Sequence, residues 1–299
     1  MGDPLVTVGF AVFNGERFIA EAIESILQQD HGALEVLVAD NASTDGTREI
    51  CEEFAARDAR VTVLPSDVNR GLAWNHNRAV EAATGDYFKW AAYDDVYRPS
   101  YVSRCVEALA TDPGAVLAYT STVDIGPDGA ELTRWPVTNR ASAGSPAERF
   151  RDVLLRERQC FPIYGVVRTE VLRRTPLMGA FPSSDQPLLA ELALHGRFIE
   201  IAEPLFLHRE HPARSMTAYP RLRDRLAFYD PSRAGQLSLP RWRIAAAFVG
   251  AIARAPIPAA DRARALAGLP QWLARWRMEL AGDVYGVARE VGRRVSRRG

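Results

Sequence analysis

The sequence predicts an α/β fold, a doubly wound and mostly parallel sheet with a helical extension at its C-terminal side. Three observations carry that expectation. Apolar runs of strand length alternate with amphipathic stretches of helix length four times before residue 110, which implies right-handed crossovers. The predicted first, second and fourth strands each run into a short polar segment, Phe13-Asn14, Asp40-Asn41 and Asp94-Asp95. Beyond residue 220 the chain turns arginine-rich and proline-punctuated.

Residues 5–12 form an apolar run suited to a buried strand, and Phe13-Asn14-Gly15 turns the chain into a helix. That helix places Phe18, Ile19, Ala22, Ile23, Ile26 and Leu27 at helical spacing. Residues 34–39 are the second strand, and Ser43-Thr44-Asp45-Gly46 opens a helix carrying Ile50 and Phe54. Residues 61–64 are the third strand, after which Asn69-Arg70-Gly71 leads into a helix closed by Gly85. The fourth is Tyr87-Phe88-Lys89-Trp90-Ala91-Ala92, followed by a helix over residues 102–109. Regularity then weakens. Residues 116–119 and 161–167 are expected as strands, 148–155 as a helix, and 199–202 and 205–208 as two short strands. Ser183-Ser184-Asp185-Gln186 heads a helix with Leu188, Leu189 and Leu192 on its apolar face. In the last helix Val284, Val287, Ala288, Val291 and Val295 form one stripe, read either as a packing face or as contact with a membrane or partner subunit.

The composition is that of an ordinary globular chain, 299 residues with 47% hydrophobic and 25% charged. Its net charge of zero divides into +10 for residues 220–299 and −10 for the remainder. The extension, rather than the body, is therefore the part suited to an anionic surface. Three scattered cysteines without a C-x-x-C pair argue for a reducing compartment and against a zinc site. With no signal-peptide pattern and no apolar run of about 20 residues, the expectation is a cytoplasmic protein, at most peripheral to a membrane, with no nucleic-acid partner.

In doubly wound sheets ligands bind beyond the carboxyl ends of the strands, so the three polar segments are expected to face one crevice. No G-x-G-x-x-G follows the first strand and no Walker A sequence occurs. A pyrophosphate would then need another counter-charge, such as Mg²⁺ or Mn²⁺ held by Asp95, with Arg70 nearby. Adjacent side chains on an extended chain point apart, so the second aspartate is free for a ribose hydroxyl or the backbone. The other reading of the pair is a cap on the helix that follows Pro99.

In combination these segments resemble glycosyltransferase family 2. Val8-Gly9-Phe10-Ala11-Val12-Phe13-Asn14-Gly15-Glu16 with Ala22-Ile23-Glu24-Ser25-Ile26-Leu27 is similar to its opening, and Val38-Ala39-Asp40-Asn41-Ala42-Ser43-Thr44-Asp45-Gly46 to its second signature. Asn69-Arg70-Gly71, Thr84-Gly85-Asp86 and Asp94-Asp95 follow in order, and Glu203-Pro204-Leu205 with residues 211–215 resembles the closing segment. The likeness covers roughly residues 4–217. It implies a GT-A fold, a nucleotide-diphosphate sugar donor, a divalent metal and inversion at the anomeric carbon. It implies a catalytic domain at residues 1–219, with a nucleotide-binding half (1–115) and an acceptor-binding half (116–219), ahead of the arginine-rich tail.

Carried over position by position, Ala11, Phe13 and Asn14 would line the nucleotide site, with Phe13 against the base. Asp40 would accept from the ring N–H of uracil or thymine, which makes UDP or dTDP the expected carrier. Arg70 would lie near the nucleotide, Asp94 near ribose or sugar, and Asp95 would bind the metal. Asp185 matches the family's general base, its other role being an N-cap. His211, with His208 as the alternative, would touch metal or diphosphate, and Arg214 would add fixed charge for the leaving group. Two positions depart from the family, Ala92 where many members have an acid and Ala11 where proline or threonine is usual. The competing readings are a sugar-nucleotide pyrophosphorylase, which would want a glycine-rich basic first loop, and a nucleotide-sugar-binding scaffold without turnover. The acceptor stays open among a saccharide, a lipid-linked sugar and a small metabolite, and the tail is the candidate for membrane contact or homo-oligomer formation.

Overall fold

The computed structural model describes residues 2–155, 160–214, 218–219, 221–234 and 236–296. The first half follows the expected alternation. β1 (Val6–Val12), β2 (Leu34–Asp40), β3 (Val61–Leu64) and β4 (Tyr87–Ala91) are joined through α1 (Ile19–Leu27), α2 (Thr47–Arg57) and α3 (Leu72–Ala82). The second half contributes β5 (Val96–Tyr97), α4 (Tyr101–Thr111), β6 (Ala115–Ile125), β7 (Glu131–Arg134), α5 (Pro146–Leu155), β8 (Val166–Arg168), α6 (Thr169–Leu172), α7 (Asp185–His195) and β9 (Arg197–Arg209). Nine strands form one sheet in the order β3-β2-β1-β4-β8-β6-β9-β5, and β7 pairs with β6 off this path. Pairing is parallel for β1 with β2 and β4, for β2 with β3 and for β6 with β9. β8 runs antiparallel to both β4 and β6 and so joins the two parallel sets.

Strand periodicity sorts side chains to the two faces. Val6, Val8 and Phe10 pack with Ile19 and Ile23 of α1 and Val102 of α4 on one side. Leu37, Phe88 and Trp90 pack with Val80 of α3 and Leu188 and Leu192 of α7 on the other. Each fully buried side chain of this size contributes about 1.5–3 kcal/mol. Gly9 permits the close approach of α3, since a Cβ there would lie 2.7 Å from Phe88 and 2.9 Å from Ala79.

Several expectations change in detail. Residues 161–167 are not one strand: Phe161–Tyr164 is a 3₁₀ turn and only Val166–Arg168 is extended, because Pro162 lacks the N–H a central ladder needs. The two short strands near residue 200 are one, β9, whose register against β6 shifts between Ile201 and Phe206, around Pro204. β5 was not foreseen, being two residues long. Neither Asp94 nor Asp95 caps α4; Ser100 occupies the N-cap position, without a side-chain cap bond.

The extension holds α8 (Leu222–Tyr229), α9 (Pro240–Arg254), α10 (Ala259–Arg275) and α11 (Arg277–Ser296). A third core joins Phe150 and Leu154 of α5 and Leu194 of α7 to Phe248 of α9 and Trp272 of α10. The carboxylate of Glu191, 2% exposed, takes two bonds from Arg254 at 3.1 and 2.8 Å across the same seam. α11 packs through Leu280, but Val284 and Val291 of the anticipated stripe are 51% and 43% exposed, and the side chain of Val295 lies outside the described residues. No helix among the described residues is long and apolar enough to cross a membrane.

α8 buries none of its residues, yet its end is pinned to the sheet edge. Gly71 has φ 89° and ψ 166°, a region essentially confined to glycine. A Cβ there would sit 2.4 Å from the Tyr229 carbonyl oxygen. Gly71→Ala is therefore expected to cost about 1–3 kcal/mol and to expose α8. Urea unfolding and limited proteolysis check this, and an unchanged midpoint with unchanged cleavage contradicts it.

Candidate functional site

The parallel registers Val12↔Asp40 and Phe10↔Ala91 bring the carboxyl ends of β1, β2 and β4 to one edge. The chain leaves β1 and β2 through left-handed residues, Asn14 at φ 54° and Ala42 at φ 61°. Side chains then tie these loops to each other. Asn14 Oδ1 accepts from Thr44 N (2.8 Å), and Thr47 Oγ1 accepts from Gly15 N (2.8 Å). Asn41 donates to Asn69 Oδ1 (2.9 Å) and accepts from Arg70 N (3.0 Å). The edge is thus a fixed rim around a cavity of about 1520 Å³.

Ala11, Phe13, Asn14, Asp94, Asp95, Asp185 and Arg214 line that cavity together. Asp40 lies behind the lining, 1% exposed; its Oδ1 accepts from Ser43 N (3.2 Å), and its Oδ2 is buried without a partner among the described residues. Such an orphaned acceptor is costly unless a ligand donor meets it. Arg70 is not brought into the lining. Its guanidinium sits 4.8 Å from the Trp74 ring at the exposed rim, where the cation gains from the ring face while staying solvated.

Asp94 and Asp95 turn away from each other as adjacent residues should. Asp94 Oδ2 meets His211 Nε2 at 2.9 Å. Asp95 Oδ1 accepts from the backbone N–H of Arg209 at 2.8 Å. Burial, and then the neighbouring charge of Asp94, pushes the Asp95 carboxyl well above the ordinary range, while His208 pulls it back. The Arg209 side chain, 2% exposed, donates to Asp94 O (2.9 Å), Gly126 O (3.3 Å), Pro127 O (3.2 Å) and Glu21 Oε2 (2.7 Å). One guanidinium thereby holds α1, the end of β4, the β6–β7 turn and β9.

The two histidines part company. His208 places Nδ1 2.9 Å from Asp124 Oδ1 and Nε2 3.3 Å from Arg214 Nη2, so Nδ1–H donates and Nε2 accepts. Asp124, His208 and Glu210 bring ligand-type atoms within 4.8 Å of one another, but Arg214 is ion-paired to Glu210. An ion at that cluster would have to displace a guanidinium. His211 does not line the cavity, and its Nδ1 is buried with no partner among the described residues. Asp94 and Asp95 bring hard carboxylate oxygens to the cavity lining, the donor type that fits Mg²⁺ or Mn²⁺, whereas His211 would have to give up Asp94 to join them. Ser215 of the closing segment lies outside the described residues.

Asp185 is the first residue of α7, with Ser184 at the N-cap. Its Oδ1 accepts from Gln186 N (3.0 Å), and the Cys160 thiol also donates to the carboxylate. Burial dominates and raises its pKa, against those hydrogen bonds. Tyr229 stands close by, its phenol pushed up by burial and then by the Asp185 charge.

Arg209 escaped the sequence reading although it lies between the two histidines that were singled out. Tyr229, Phe228 and Tyr219, which line the same cavity, also escaped it. They arrive from α8 and the segment just before it through long-range packing, for which no local motif exists.

A family model described as "Glycosyl transferase family 2" matches residues 7–172, more than half of the chain. The chondroitin synthase of Escherichia coli is 31% identical over 140 residues, covering 46% of this chain and 20% of that protein. The glycosyltransferase GlyG of Streptococcus pneumoniae is 31% identical over 98 residues, 33% of each chain. The chain spans about half, or less, of the length of the curated relatives it matches. Among solved structures, S. aureus TarS 1–349 in complex with UDP-GlcNAc superposes with a TM-score of 0.69 at 15% identity, covering 96% of this chain and 81% of that one. The mannosyltransferase PcManGT of Pyrobaculum calidifontis, in complex with GDP-Man and Mn²⁺, gives 0.52 at 21% identity over the same shares. The sheet, its flanking helices and this likeness make the fold GT-A, and the chain belongs to glycosyltransferase family 2.

Proposed function

We propose that this protein is an inverting, metal-dependent glycosyltransferase that moves a sugar from a UDP- or dTDP-linked donor to an acceptor hydroxyl. The observation that carries the reading is a single cavity lined by Phe13, Asn14, Asp94, Asp95 and Asp185. The solved relatives hold UDP-GlcNAc, or GDP-Man with Mn²⁺, which supports the substrate class. In this reading residues 1–115 bind the nucleotide, 116–219 shape the acceptor side, and 220–299 extend it. The tail also supplies the contact with a membrane surface or a second copy, and the protein works in the cytoplasm.

Phe13 packs against the base and the orphaned Oδ2 of Asp40 accepts from its ring N–H. Ala11 and Asn14 line the same wall, and Arg70 swings from Trp74 toward the nucleotide. Asp95 and His211 would hold Mg²⁺ or Mn²⁺, which when bound neutralises the donor diphosphate, and Asp94 reaches the ribose or sugar. Arg214 adds a fixed positive charge for the leaving group. Asp185 takes the acceptor hydroxyl's proton as that oxygen attacks the face opposite the departing diphosphate.

Four outcomes test this. Asp185→Asn should lower transfer by about 10²–10⁴-fold while UDP still raises the melting temperature; normal turnover removes Asp185 from the mechanism. Because the base acts when ionised and burial raises its pKa, activity should fall with decreasing pH above the ordinary carboxylate range. Cys160→Ala removes a hydrogen bond that favours the ionised form, so the acidic limb of kcat/KM should move to higher pH. A limb that stays in place contradicts this role for the thiol. Asp40→Asn exchanges an acceptor for a donor, so calorimetry should show weaker UDP binding and a shift of preference toward CDP, whose ring N3 accepts; an unchanged ratio contradicts the contact.

A further inference from the structure

The cavity does not stop at the carboxylates. Its lining continues along the segment before α8 and onto α8 itself, where its charge changes sign. Among the described residues from Ala213 to Tyr229, four arginines and no carboxylate face it: Arg214, Arg221, Arg223 and Arg225. Two of them are already engaged, Arg214 with Glu210 and the exposed Arg223 with Asp224 at 3.2 Å. Arg221 precedes α8 at its N-cap and Arg225 lies on α8 itself; both line the cavity, and they enter no ion pair among the described residues. Arg225 Nε is buried with no hydrogen-bond partner among those residues. A buried donor of a charged group left unmet is costly, and an anionic ligand would meet it.

The neighbouring surface suits a sugar ring. Tyr219 stacks on Phe228 with centroids 4.7 Å apart, and Tyr229 stands edge-on to Phe228 at 5.9 Å. All three rings line the cavity, and Tyr229 is the one beside Asp185. The far end of the cavity differs, since the carboxylates Glu279, Asp283 and Glu290 join Arg241 and Arg289 in its lining there. Asp283 is committed to the Arg241 backbone N–H at 2.8 Å. The part of the lining that carries arginines without carboxylates is thus α8 and its approach, next to the proposed base.

We infer that this arm is the acceptor subsite and that it takes a saccharide bearing a phosphate or carboxylate group, with Arg221 and Arg225 holding the charge and the aromatic rings carrying the sugar face. The inference rests on the transferase reading, because it presumes that the cavity's other wall is the donor site.

The test uses the full chain with Mg²⁺ and saturating UDP, so that the diphosphate position is filled. Dissociation constants are measured for glucose, glucose 6-phosphate and glucuronate, for the wild type and for the double variant Arg221→Ala, Arg225→Ala. At least one anionic sugar should bind tenfold or more tightly than glucose, and added salt should weaken it. The double variant should erase that advantage while leaving UDP and glucose affinity unchanged. Preference for the phosphate or the carboxylate arm identifies the acceptor's charged group. Equal binding or no binding of all three sugars, or an anionic preference that survives the double substitution, overturns the inference. Failure of UDP itself to bind sinks the transferase reading instead, which keeps the two failures distinct.

Discussion

The buried guanidinium of Arg209 is the constraint on which the rest of the site depends. Removing a cation from water is expensive unless its donors are met. Here three backbone carbonyls and Glu21 accept from it, and the Phe18 ring lies 4.8 Å from its Cζ. Those partners belong to α1, the turn after β4 and the β6–β7 turn, segments far apart in sequence. The same residue's backbone N–H binds Asp95. The orientation of that carboxylate is therefore set by the register of β9 against β6, not by its own strand.

Charge is concentrated deliberately around this clamp. Asp94 and Asp95 sit side by side at a strand end with burial working against ionisation, a configuration that a cation relieves. His211 presses on Phe18 at 4.8 Å and bonds Asp94, so the two aspartates are steered by different parts of β9 and the segment after it. Asp185 in the same cavity is held by the first turn of α7, which is fastened to the tail through Glu191 and Arg254. The helical extension thus braces the helix that carries Asp185, and it delivers Tyr229 to that carboxylate.

Much of this was legible in the sequence because it is local. Strand-to-helix alternation, the polar residues after β1, β2 and β4, and Asp185 at the head of a helix all follow from patterns a few residues long. What could not be read arises from distant pairing. Of the strand expected over 161–167 only β8 at its end is extended, and its antiparallel pairing on both sides is not announced by its length or hydrophobicity. Pro162 and Pro204 disturb runs that otherwise look like plain strands. Arg70 sits in a family-like motif, yet Trp74 one turn on draws its guanidinium to the rim. Arg209 looks like any surface arginine until the four segments it joins are brought together, and Arg225 becomes notable only when the tail folds back over the crevice.

The most direct test of the account is the binding of Mn²⁺ by electron paramagnetic resonance, with and without UDP, in the wild type and in Asp95→Asn. The account predicts that UDP and Mn²⁺ bind the wild type together, each tightening the other, and that Asp95→Asn weakens the ion by more than about tenfold without unfolding the chain. Wild-type affinity for Mn²⁺ in the variant, or ion binding indifferent to UDP, would contradict it.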